Sequence, residues 1–86
     1  MRLLVSTKAF ADLERIAERA PRQALRLITA IERLTERPFA GMHRRVEGRP
    51  GEHALSEPPH VVFYTVQGDD VTVLSIEDSR QHWEPW

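Results

Sequence analysis

Eighty-six residues hold one hydrophobic core, so the chain reads as a single domain over residues 1–86. Apolar residues at 41% against 29% charged mark a folding globule rather than a disordered chain, and the absence of Cys excludes a disulfide framework and thiolate chemistry. No apolar run is long enough for a signal core or a membrane span, so the cytoplasm is the default compartment and no membrane partner is expected.

A formal net charge of −1 hides an asymmetry. Residues 1–51 carry eleven basic and six acidic side chains, whereas residues 52–86 carry one basic residue, Arg80, and seven acidic ones. Arg37, Arg44, Arg45 and Arg49 crowd one stretch opposed only by Glu47. That stretch is a candidate surface for phosphates or an acidic partner, weighed against an ordinary solvated loop.

Arg2 to Val5 is a short apolar run and a first strand. Ser6 or Thr7 then caps a helix in which Ala9, Phe10, Leu13, Ile16, Ala17 and Ala20 form an apolar stripe. Asp12, Glu14, Arg15, Glu18 and Arg19 are expected outside that stripe. Pro21 suits the first turn of a second helix, whose stripe is Ala24, Leu27, Ile28, Ile31 and Leu34, with Leu25 at its edge. This helix is expected to reach Glu36 or Arg37 and to stop before Pro38. So short a break between two amphipathic helices predicts an antiparallel helical hairpin.

Pro38 to Gly51 is Gly- and Pro-rich and reads as a loop with a short strand around Met42 to Val46. Glu52 to Ser56 is a further short strand, broken by Pro58-Pro59. His60 to Val66 and Val71 to Ile76 then form a hairpin across Gln67-Gly68-Asp69-Asp70. In its first strand Val61, Phe63 and Thr65 point one way and Val62, Tyr64 and Val66 the other. In its second, Leu74 and Ile76 are expected on one face, with Val71 and Val73 opposite. The fold class is α+β: an N-terminal strand, a two-helix hairpin, then a mainly antiparallel sheet with the helices on one face. Leu13, Ile16, Leu27, Ile31, Phe63 and Leu74 are expected in one core.

Beyond the hairpin lies a dense cluster, Ser79-Arg80-Gln81-His82-Trp83. Cleavage of RNA by its own 2′-hydroxyl needs an acid, a base and a cation on the phosphate. Arg80 supplies a guanidinium fork, His82 titrates near neutrality and Trp83 can stack on a base. The plainer alternative pairs Arg80 with Glu77 or Asp78 and makes Trp83 a packing cap. Glu52, His53 and Glu57 lack a second well-spaced His, so neither metal nor cofactor is expected.

Taken together these features resemble the RelE/ParE superfamily of bacterial type II toxins. The likeness rests on Val5-Ser6, Ala9, Asp12-Leu13 and Ile16, on Pro38, Gly41 and Gly51, on Val62-Phe63-Tyr64 with Val71 to Ile76, and on the Ser79 to Trp83 tail. It covers the whole chain in order. The resemblance implies a cognate antitoxin that wraps the toxin, and one of two targets. The RelE-like branch cleaves ribosome-bound mRNA with a cationic sheet face; the ParE-like branch binds and inhibits DNA gyrase. Here His53 and Ala54 stand where the family often has Arg-Glu, Val61 stands where it often has Arg, and no Lys follows Lys8. These departures favour the ParE-like branch. That reading makes Arg80 and Trp83 target contacts and Arg37, Arg44, Arg45 and Arg49 contacts for the antitoxin. The nuclease reading makes Arg80 and His82 catalytic. A degenerate domain that binds antitoxin without harming the cell is a third reading. A homodimer or a toxin–antitoxin hetero-oligomer is compatible with all three.

Overall fold

The computed structural model describes residues 1–36, the backbone of 43–45, and residues 48–80. Strand β1 (Arg2–Val5) leads into α1 (Thr7–Arg19) and α2 (Pro21–Arg33), followed by β2 (His43–Arg45), β3 (His53–Glu57), β4 (His60–Gln67) and β5 (Asp70–Asp78). The strands form one sheet in the order β1-β5-β4-β3-β2. Only the β1–β5 pair is parallel; the other three are antiparallel.

Each helix starts and ends for a local reason. Ser6 is the cap of α1: its hydroxyl accepts from the Ala9 N–H at 3.0 Å and donates to the Leu74 carbonyl at 2.7 Å, tying the cap to β5. Pro21 opens α2, where its missing N–H costs nothing. This helix ends at Arg33, short of the expected Glu36 or Arg37. The N–H groups of Leu34, Thr35 and Glu36 reach back three residues rather than four, and the Thr35 hydroxyl occupies the Glu32 carbonyl. At the β4–β5 turn Gly68 has φ +57°, the glycine-first placement of a two-residue hairpin loop.

The helical hairpin covers one face of the sheet, with α1 on β5 and α2 toward β3. Ala9, Leu27, Ile31 and Leu34 close on Leu55, Val62, Tyr64, Val71, Val73 and Ile76, with Leu13 and Ile16 half-buried beside them. On the other face Ala54, Val61 and Phe63 form a second cluster, flanked by Leu74. The expectation of one core holding both Phe63 and Leu74 is therefore corrected, as is the face assignment in β5. An irregularity between Phe63 and Tyr64 pairs them with Ser75 and Val73, leaving Leu74 as an extra residue on β5. The extra residue switches the alternation, so Val71, Val73 and Ile76 all face the helices while Leu74 faces away.

Two assignments along the helices also change. Phe10, Leu25 and Ile28 are exposed, at 56%, 64% and 37%, whereas Asp12, expected outside, is 2% exposed. Spacing explains the second change: Asp12 follows Ala9 by three residues and precedes Ile16 by four, which places it on the inward face.

Candidate functional site

Asp12 is the electrostatic anchor of the helix–sheet contact. Its carboxylate accepts from the Ile76 N–H at 3.0 Å, from Lys8 Nζ at 2.9 Å and from Arg15 Nη2 at 2.7 Å. Burial alone would push this carboxyl up; the Ile76 N–H and the two cations outweigh it and hold the group below the ordinary value. In the first turn of α2, Gln23 is 4% exposed and ties that helix to the β3–β4 turn and the start of β4. Its Oε1 accepts from Arg26 Nε at 3.0 Å, which orients the amide. Nε2 therefore faces the carbonyls of Glu57 and Pro58, at 3.0 and 3.2 Å, and His60 Nδ1 at 3.2 Å. In that arrangement His60 Nδ1 is an acceptor and the ring proton belongs on Nε2. Burial lowers the His60 pKa, with Arg80 adding to the effect and Asp78 opposing it.

At the exit of β5, Arg80 folds back on Asp78. Nε and Nη2 donate to the two carboxylate oxygens at 2.9 and 2.6 Å, and the Arg80 N–H donates to Oδ1 at 2.8 Å. This fork, foremost its side-chain hydrogen bonds, holds the Asp78 carboxyl far below the carboxylate range. The Arg80 side chain is still 76% exposed. Ser79 donates from its N–H and its hydroxyl to the Pro59 carbonyl, pinning the exit against the β3–β4 turn.

On the sheet face away from the helices, Arg49 places its guanidinium carbon 4.2 Å from the Phe63 ring centroid. Its Nε lies 3.3 Å from Glu52 Oε1 and its Nη2 lies 3.9 Å from Glu77 Oε2. The first is an ion pair without hydrogen-bond alignment, so Glu52 Oε1 is buried with no hydrogen bond among the described residues. Ser75 donates to Glu77 Oε2 at 3.1 Å, completing a compact Arg–Glu–Glu–Ser group over an apolar floor.

A family model described as the ParE toxin of the type II toxin–antitoxin system parDE matches residues 3–83. The chain belongs to the ParE toxin family. Among solved structures, the chromosomal ParDE system of P. aeruginosa is 26% identical, with a TM-score of 0.75 over 91% of this chain and 95% of that one. The YoeB/ParE toxin of Agrobacterium tumefaciens is 20% identical, with a TM-score of 0.80 over 96% of this chain and 100% of that one. A YoeB dimer of Staphylococcus aureus, at 14% identity and a TM-score of 0.76 over 96% and 98%, shares the fold. A comparison with curated proteins finds no match.

The residues singled out from the sequence of this ParE-family toxin divide into three groups. Arg80 and Arg49 are placed, both near the outgoing end of β5, Arg80 on Asp78 and Arg49 beside Glu77 and Glu52. Arg44 and Arg45 belong to β2, paired with Ala54 and His53. Arg37, His82 and Trp83 lie outside the described residues. Sequence reasoning missed Asp12, Gln23, His60, Glu52 and Glu77 as organising groups. For Asp12 the signal was present, since Lys8 and Arg15 stand four residues before and three after it. For Glu52 the spacing of three from Arg49 was also visible, whereas the Gln23–His60 and Arg49–Glu77 contacts arise only from tertiary pairing.

Proposed function

We propose that this ParE-family toxin acts by binding DNA gyrase and that a cognate antitoxin neutralises it. The observation that supports a binding mode is the state of Arg49. Phosphate cleavage needs a cation available to the charge developing in the transition state. On this face the described guanidinium stands on Phe63 between Glu52 and Glu77, above Ala54 and Val61. In the gyrase reading Arg80 is the charged anchor and Trp83 the aromatic one. Arg37, Arg44, Arg45 and Arg49 meet acidic residues of the antitoxin, with Arg49 exchanging Glu52 and Glu77 for the partner's carboxylates. The complexes of YoeB with YefM from Staphylococcus aureus and of DinJ with YafQ from E. coli support a partner of this kind, and the YoeB dimer supports a self-associated form.

A second reading, cleavage of ribosome-bound mRNA, draws on the exposure of Arg80 and its nearness in sequence to His82. Induced expression with paired readouts of DNA damage and mRNA cleavage separates the two. The gyrase reading expects DNA damage without cleaved message, and His82→Gln as toxic as the parent. The nuclease reading expects cleaved message and a loss of about 10²-fold or more in rate for His82→Gln. Neither effect at full expression identifies a degenerate, antitoxin-binding domain. A folded Arg80→Ala protein as toxic as the parent removes Arg80 from the active surface in both.

A further inference from the structure

Between α1 and the outgoing end of β5 lies a cleft of about 380 Å³, on the side of the sheet away from Arg49's guanidinium stack. That volume falls in the lower part of the range for small-molecule sites, about 300–1,000 Å³. Its walls carry Lys8, Arg15 and Arg19 from the helix and Arg80 from the strand exit. Against these four cations stand three lining carboxylates, Asp12, Glu77 and Asp78, leaving one positive charge in excess. Glu77 is also bonded to Ser75 and lies 3.9 Å from Arg49.

The arrangement is built rather than incidental. Asp12, at the base, is 2% exposed and saturated by the Ile76 N–H, Lys8 and Arg15, so it fixes both cations against the sheet. Arg80 uses Nε and Nη2 on Asp78 and keeps donors to spare. Arg19 has no ion pair among the described residues. His60 lines the same cleft with Nδ1 occupied by Gln23, so its remaining ring donor is Nε2–H. Ile16, Ile76 and Pro59 add apolar surface beside these donors.

We propose that this cleft binds a phosphomonoester of nucleotide size, the phosphate held between Arg19, Arg80 and His60 and the organic part on the apolar floor. The excess of cations suits an anion, and donors on two walls suit several phosphate oxygens better than the single edge of a carboxylate. The volume exceeds what one carboxylate side chain would fill. The site shares Arg80 with the gyrase reading, whereas Arg19 and His60 belong to the cleft alone, so loss of monophosphate binding in Arg19→Glu is separable from loss of toxicity.

The test is an NMR titration of the full chain with inorganic phosphate, adenosine 5′-monophosphate, adenosine and hexaglutamate, following the His60 imidazole and the Ile76 and Arg80 amides. Saturable shifts are expected with phosphate and with the monophosphate, tighter for the latter, and none with adenosine. Arg19→Glu should weaken monophosphate binding by about tenfold or more, and Arg19→Gln by less, with the rest of the amide spectrum unchanged. Shifts with inorganic phosphate alone would restrict the ligand to the free anion and overturn the nucleotide-sized site. Hexaglutamate binding as tightly as the monophosphate would make the cleft a dock for an acidic protein segment instead. Absence of saturable shifts with both phosphates, or an Arg19→Glu protein that binds as the parent does, would overturn the proposal outright.

Discussion

At the scale of single residues, Asp12 shows how one buried charge is made stable. Its three donors differ in what they lose when the carboxylate is removed. Lys8 and Arg15 are 64% and 60% exposed and return to water, whereas the Ile76 N–H stays in the sheet without an acceptor. Asp12→Ala should therefore cost about 2 kcal/mol in a denaturant melt, mainly from that orphaned donor. Asp12→Asn, which still accepts from Ile76, should cost less. The acid limb follows from the lowered pKa. A depressed carboxyl contributes stability above its unfolded value of about 3.9, and loses it as pH falls through the folded value. The parent and the Asn variant should differ by a constant amount at neutral pH and converge below about pH 4, as read from midpoints across a pH series.

At the scale of elements, the β4–β5 hairpin carries two cores on its two faces. Phe63 is fully buried on the face opposite the helices, with Val61 and Ala54 as neighbours and Arg49 on its ring. Phe63→Ala should cost about 3–5 kcal/mol in a chemical melt, although α1 and α2 both lie on the other face. Arg49→Ala should destabilise by far less, since its guanidinium contacts are partly exposed ion pairs. The hairpin itself was legible because Val61 to Val66 is a continuous β-branched and aromatic run and Gly68 marks the turn. Both helices were legible from their stripes, which recur at three and four residues. The extra residue at Leu74 was not legible: Val71, Val73, Leu74 and Ile76 are all apolar, so shifting the alternation leaves no trace in the residue types. Of the candidate site, the return of Arg80 to Asp78 was anticipated as one of two pairings. The Arg49 group was not, although Glu52 follows Arg49 by three residues; Glu77 and Phe63 meet Arg49 only in the folded sheet.

At the scale of the whole molecule, charge is sorted between surfaces. Arg44 and Arg45 belong to β2, at the edge of the sheet, while acidic residues gather in the C-terminal part of the chain. If an acidic antitoxin docks on that edge, coexpression with the product of the adjacent reading frame should give a complex that copurifies at physiological salt. Arg44→Glu with Arg45→Glu should then weaken it by about tenfold or more, measured by calorimetry on the purified pair. A neighbour that folds but does not bind the parent chain would remove the antitoxin reading. Tight binding undiminished by both reversals would move the contact to another face.

The parallel seating of β1 beside β5 has a kinetic consequence. The Arg2–Asp70 pair joins residues 68 apart, while the helical hairpin and the β4–β5 hairpin each close locally. Because loop closure grows costlier with length, the local hairpins should form on the way to the folding barrier and β1 should dock after it. Leu3→Ala would then speed unfolding several-fold and leave refolding nearly unchanged, whereas Val62→Ala would slow refolding. A chevron in which both substitutions slow refolding would show that β1 is part of the nucleus, and that this chain commits to its fold only when its first strand finds its last.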